Sequence, residues 1–159
     1  MSGPAVRFGL PLTAALAAAG LGVATYLTVV HYAHQPIACN GIGDCQYVNS
    51  SEYAKLAGVP VALLGAAAYA TMLIAAAAAW LRRDPLLLVL AWGVALASFA
   101  FSAYLTYIEL RVLDAVCVYC VVSALVVTAL FLVLSLIVWA ARDDVFGDGV
   151  AATEALDAT

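Results

Sequence analysis

Four long apolar runs, parted by short polar ones, leave this chain little choice of fold. They cover about residues 8–31, 59–81, 85–110 and 114–141. A helix of about 20 apolar residues crosses roughly 30 Å of hydrocarbon, and each run is long enough. Lipid offers the backbone no hydrogen bonds, so a spanning segment must satisfy its own as a helix. The expected fold class is all-α integral membrane: a four-transmembrane-helix bundle. Composition agrees, with 67% of residues hydrophobic where a soluble domain has roughly half. Alanine stretches such as 66–68 and 75–79 supply the small side chains that let membrane helices approach closely. With no internal repeat, one four-helix domain over residues 1–142 accounts for the chain. Residues 143–159 read as an acidic, disordered cytoplasmic tail with too few apolar residues to fold alone.

The first run is longer than the roughly 7–15 apolar residues of a signal-peptide core, so it is expected to stay as a helix. Topology follows from the basic residues. With the N-terminus inside, Arg7, Arg82, Arg83 and Arg142 face the cytoplasm, and Lys55 and Arg111 face outward. That imbalance satisfies the positive-inside rule. The expected localisation is the cell (inner) membrane, multi-pass, with both termini cytoplasmic. There is no basic patch of the kind nucleic acid requires.

The chain has four cysteines, in two pairs, and this topology sets both on the outer face, where disulfides persist. Cys39 and Cys45 occupy the longest polar loop, with Gly41 and Gly43 between them permitting a tight turn. Downstream, Asn49 followed by Glu52 resembles a helix N-cap and its reciprocal partner, and Gly58 resembles a stop. A short helix lying on the membrane surface is expected here, with an irregular loop as the alternative. Asp114 reads as the N-cap of the last span. Cys117 and Cys120 then share a face in its first turns, where free amides favour a thiolate. Glu109 and Asp114 oppose that effect and Arg111 assists it, so the sequence leaves the net sign open.

These residues together resemble a bacterial member of the vitamin K epoxide reductase family. The matching pattern is Cys39 and Cys45 after the first span, and Ser51 six residues after Cys45. Gly58-Val59-Pro60 and Gly65 then open the second span, and Cys117-Val118-Tyr119-Cys120 the fourth. The resemblance implies a quinone-dependent thiol–disulfide oxidoreductase that drives disulfide formation. Cys39 would exchange with a periplasmic or extracellular thioredoxin-fold protein, Cys45 would attack Cys117, and Cys120 would face a quinone (menaquinone or ubiquinone) drawn from the membrane pool. Ser51 would belong to the segment capping the quinone pocket. Vertebrate relatives that reduce the epoxide carry an asparagine where this chain has Val61 and a tyrosine where it has Ala124, which favours plain quinone reduction here. Tyr104, Tyr107 or Tyr119 offers a replacement hydroxyl, with Tyr104 taken as the quinone contact.

Two other functions fit parts of the pattern. A DsbB-type oxidase also has four spans and two outer pairs, but its C-x-x-C lies in the first outer loop, the reverse of the order here. A soft-metal-binding membrane protein would use the four thiolates, with His31 and His34 as nitrogen ligands. An oxidising face disfavours free thiols, so no metal is expected. Two inert structural disulfides remain as the plainest reading.

Overall fold

The computed structural model describes residues 4–39 and 43–142. The expected acidic tail, 143–159, lies outside the described residues. Four helices are long and apolar enough to cross a membrane: α1 (Pro4–Ala33), α3 (Val61–Arg82), α4 (Pro85–Arg111) and α5 (Val118–Ala140). Between the first two stand a short helix α2 (Cys45–Ser50), a turn of 3₁₀ helix (Glu52–Ala54), and strands β1 (Lys55–Leu56) and β2 (Val59–Pro60). The architecture is an all-α four-helix membrane bundle.

α1 packs against α3 and α5, and α4 packs against the same two, so the long helices form a ring in the order α1-α3-α4-α5. The half away from the α2 loop, called the inner half below, is closed by side chains that are almost fully buried, including Leu10, Met72, Leu88, Leu130 and Leu134. Small residues bring the helices together there, among them Ala17, Ala24, Ala75, Ala76, Ala91 and Ala95. Gly20 on α1 lies flat against the ring of Tyr69 on α3, leaving no room for a Cβ. Large apolar side chains such as Ile74, Leu81, Leu86, Leu125, Leu136 and Trp139 point outward, as a lipid-facing surface requires.

The connections follow from local chemistry. Arg83 adopts a left-handed conformation (φ 55°) and closes α3, with its N–H donating to the Ala79 carbonyl. Asp84 then caps α4, its carboxylate accepting from the Leu86 N–H at 2.9 Å, with Pro85 in the first turn.

The outer loop departs from expectation. Its helix starts at Cys45 rather than near Asn49, because Cys45 and Val48 share one face and bury it against the bundle. Packing overrides the Asn49–Glu52 signal, and Asn49 falls near the helix end. Gly58 (φ 84°) does not stop a helix. With Ala57 (φ 50°) it forms the two-residue turn between β1 and β2, where both central residues need positive φ.

The start of the last span differs too. Asp114 takes a left-handed φ of 46° and caps nothing; Cys117 is itself the N-cap, and α5 begins at Val118. The segment is set by the preceding helix, since the Ala115 N–H donates to the Glu109 carbonyl at 3.1 Å.

Candidate active site

All four cysteines belong to one packed cluster at the end of the bundle that carries the α2 loop. Cys45 and Cys117 lie at its centre with Leu27, Val30, Ile37, Val48 and Ala115, while Cys39 and Cys120 pack against them. The pairs differ in state. Cys39 and Cys45 form a disulfide, with Cα atoms 6.3 Å apart. Cys117 and Cys120 are free thiols.

Backbone and side-chain bonds tie the loop to the C-x-x-C segment on both sides of the disulfide. Beside Cys45, the Asp44 N–H donates to the Val116 carbonyl at 3.0 Å. Beside Cys39, the Tyr119 hydroxyl donates to the Ala38 carbonyl at 2.8 Å. The Tyr119 ring also packs 5.4 Å from that of Tyr26 on α1. Gly43 makes the close approach possible. Its φ of 79° suits glycine, and a Cβ there would run into the Val116 carbonyl oxygen.

Exposure grades along the cysteines. Cys39 is half-buried, Cys45 and Cys117 are buried, and Cys120 is half-buried where it lines an internal cavity. The Cys120 thiol donates toward Cys117 and is the main reason the Cys117 thiol lies below its ordinary range. Burial and the Glu109 charge oppose this, while the Cys120 and Tyr119 amides assist. The net sign left open by the sequence is therefore a lowering.

The cavity has a volume of about 480 Å³ and lies among the halves of the four helices nearer the cysteines. Its walls are mostly apolar, with Leu27, Val61, Ala68, Phe101 and Leu105 among them. Its polar residues are Cys120, Glu109, Asn49, Ser51, Tyr53, Ser98, Ser102 and Thr106, with Tyr69 paired with Ser123. The Tyr69 hydroxyl lies 2.9 Å from the Ser123 hydroxyl and donates to the Ser123 carbonyl at 3.0 Å. An apolar cleft of this size with a few placed polar groups is the usual form of a small-molecule site. Size and lining suit a quinone ring with its apolar substituents.

The four residues expected to touch a quinone divide evenly. Ser51 and Val61 line the cavity, although the Ser51 hydroxyl already donates to the Val48 carbonyl at 2.7 Å. Ala124 turns instead toward a smaller space of about 260 Å³ with Phe99, Thr106 and Thr128. Tyr104 is 53% exposed on the outer side of α4, stacked on Phe101, because it lies two residues from the cavity-facing Ser102. Tyr107 and Tyr119 do not line the cavity either; the tyrosines that do are Tyr53 and Tyr69. His31 and His34 sit at the end of α1, with His34 Nδ1 bonded to the Tyr32 carbonyl at 2.9 Å. Among the described residues, no three histidine, cysteine or acidic side chains converge as a metal-ligand set.

Glu109 is the residue the sequence reading undervalued. It is 7% exposed, and its carboxylate accepts from the Cys117 N–H at 3.4 Å and lies within hydrogen-bonding reach of the Cys120 thiol. The signal was helical spacing, since Ser98, Ser102, Leu105 and Glu109 recur on one face of α4 and all line the cavity.

A paired and an unpaired dithiol in one cluster, with one sulfur opening into an apolar cleft, is equipment for thiol–disulfide exchange. A family model described as "Vitamin K epoxide reductase family" matches residues 11–135, a stretch that includes both cysteine pairs, Ser51 and the cavity-lining residues. The chain thus belongs to the vitamin K epoxide reductase family and is a multi-pass membrane thiol–disulfide oxidoreductase.

Proposed function

We propose that this protein oxidises a thioredoxin-fold partner outside the cell membrane and passes the electrons through Cys39, Cys45, Cys117 and Cys120 to a quinone. The observation that carries this reading is the gradation of exposure. The half-buried Cys39 is open to a soluble protein, Cys45 and Cys117 are buried in one cluster, and Cys120 opens into the cavity.

The exchange chemistry follows that order. A partner thiolate attacks Cys39, the Cys39–Cys45 bond breaks, and the partner's second thiol resolves the mixed disulfide. Cys45 then attacks Cys117 of an oxidised C-x-x-C pair, and Cys39 completes the loop disulfide again. The helix dithiol left behind gives two electrons and two protons to the quinone. The arrangement described here, with the loop pair bonded and the helix pair free, matches the stage just before that last transfer. The low-lying Cys117 thiol supplies the thiolate that such exchange needs.

On this reading the cysteine end faces the periplasm or the outside, and both termini face the cytoplasm. The acceptor is a respiratory quinone rather than an epoxide. Val61 brings no amide to the cavity, and Ala124 brings no hydroxyl.

The test is purified protein with a reduced thioredoxin-fold substrate and a soluble quinone. Cys39→Ala abolishes partner oxidation but keeps quinone reduction driven by a small dithiol. Cys120→Ala loses both. Full quinone reduction by Cys120→Ala would refute the proposal.

A further inference from the structure

The cavity holds one acid, and its position has no structural necessity behind it. Glu109 is the second-to-last residue but one of α4, a place where a carboxylate ordinarily reaches solvent. Instead it is 7% exposed and turned inward onto the C-x-x-C segment. Its backbone carbonyl already holds that segment by accepting from Ala115 at 3.1 Å, and this contact needs no acidic side chain. The carboxylate adds a long bond of 3.4 Å from the Cys117 N–H and reaches the Cys120 thiol. It also lines the cavity into which Cys120 opens.

We propose that Glu109 is a catalytic base and acid that takes the thiol protons of the Cys117–Cys120 pair and hands them to the oxygens of the quinone. This rests on the quinone reading of the cavity. Oxidising the dithiol forms one S–S bond and breaks two S–H bonds. The electron pair leaves for the acceptor, and two O–H bonds form there. Glu109 accepts one thiol proton through Cys120, delivers it, returns to carboxylate and repeats the transfer with the second. A thiolate and a carboxylate side by side in an apolar site repel strongly. Moving the protons one at a time through Glu109 keeps that charge at one.

Among the described residues, no competing group has equal reach. From α5 the titratable groups facing Glu109 are Cys117 and Cys120. Across the cavity are Tyr53 from the loop and Tyr69 from α3, the latter engaged with Ser123. α1 contributes only Val23, Ala24 and Leu27 to the cavity wall. Arg111 and Asp114, the nearest charges in sequence, are exposed.

The experiment uses the full chain in detergent. Glu109→Gln keeps an oxygen to accept the Cys117 N–H but cannot take a proton. Its kcat for quinone reduction by a small dithiol should fall by about 100-fold or more at neutral pH. KM for a soluble quinone should stay within about threefold, since the loss is in the transition state. The deficit should shrink as pH rises and solvent hydroxide ionises the thiols directly. Glu109→Asp should recover part of the rate. A second reading does not depend on turnover. Time-resolved infrared difference spectra, recorded while the reduced wild type is being oxidised, should contain a transient carboxylic-acid carbonyl band, displaced in Glu109→Asp. That band also decides the matter should Glu109→Gln fail to fold. A folded Glu109→Gln with wild-type rate and pH profile overturns the proposal, as does a wild-type difference spectrum without the band. Absence of Cys120-dependent quinone reduction in the wild type refutes the function proposed above; the band, obtained with dithiol and chemical oxidant alone, still reports whether the acid follows the thiols.

Discussion

Gly43→Ala isolates the contact between the two cysteine pairs. Glycine is needed there twice over, for its φ of 79° and for the space against the Val116 carbonyl oxygen. Left-handed backbone costs a residue with a Cβ about 1–2 kcal/mol. Relieving the clash pulls the loop from Val116 and gives up the Asp44 N–H bond to its carbonyl, 3.0 Å long in the wild type. A bond of that kind contributes about 1 kcal/mol. An undocked loop relaxes to negative φ and escapes both penalties, so they fall on the docked arrangement alone, for a sum of about 2–3 kcal/mol. That corresponds to a docking constant roughly 30- to 150-fold smaller. Two rates read it. Partner-driven quinone reduction, which needs the loop against the C-x-x-C segment, should fall by at least about tenfold. Reduction driven by a small dithiol acting directly on Cys117–Cys120 should not change. Gly58→Ala is the matched control, because its φ of 84° carries the same strain with nothing within 4 Å of the added Cβ. Should partner-driven turnover of Gly43→Ala equal that of the wild type at equal folded protein, the loop does not need this docking and the reasoning fails.

Tyr119→Phe removes the bond to Ala38 on the other side of the disulfide. It should lower the partner-driven rate a few-fold, with small-dithiol turnover intact. Cys117 should ionise below the ordinary thiol value, so its thiolate absorbance persists to lower pH. Cys120→Ala, which removes the main cause, should move the midpoint upward, and Cys120→Ser, which keeps a donor, should move it less. Gly20→Ala forces a methyl into the Tyr69 ring. Overpacking of this kind costs about 1–3 kcal/mol, read as a lower melting temperature, and displacing Tyr69 should raise KM for quinone.

The four spans were legible to within a few residues because the bilayer imposes length and composition on them, whatever the tertiary detail. The meeting of the two cysteine pairs at one end of the bundle was legible for a related reason, since alternate helix ends fall on one face. What the sequence concealed was local competition. Asn49 and Glu52 carry a sound capping signal, yet burying Cys45 and Val48 is worth more, and the helix forms five residues earlier than that signal implies. Asp114 is a good N-cap by type, but the Glu109 carbonyl captures the Ala115 amide and pushes Asp114 into a left-handed turn. Tyr104 and Ala124 were judged by residue type and by likeness to relatives, whereas helical phase decides which way they face. Glu109 was read only as a charge opposing the thiolate, although its helical spacing from Ser98 and Ser102 already set it on the cavity-lining face of α4.

The closed inner half of the bundle has an energetic consequence for the cell. Leu10, Met72, Leu88, Leu130 and Leu134 are each at most 1% exposed and pack the half of the bundle away from the cysteines with apolar side chains. Under the function proposed above, electrons and protons would enter and leave on the same side as the cysteines, and no net charge would cross the membrane during turnover. The transmembrane potential, worth about 2.3 kcal/mol per charge at 100 mV, would then neither drive the proposed reaction nor oppose it. In proteoliposomes the rate should be the same at any imposed voltage, so that disulfide supply draws on the quinone pool's poise and is insulated from the proton-motive force.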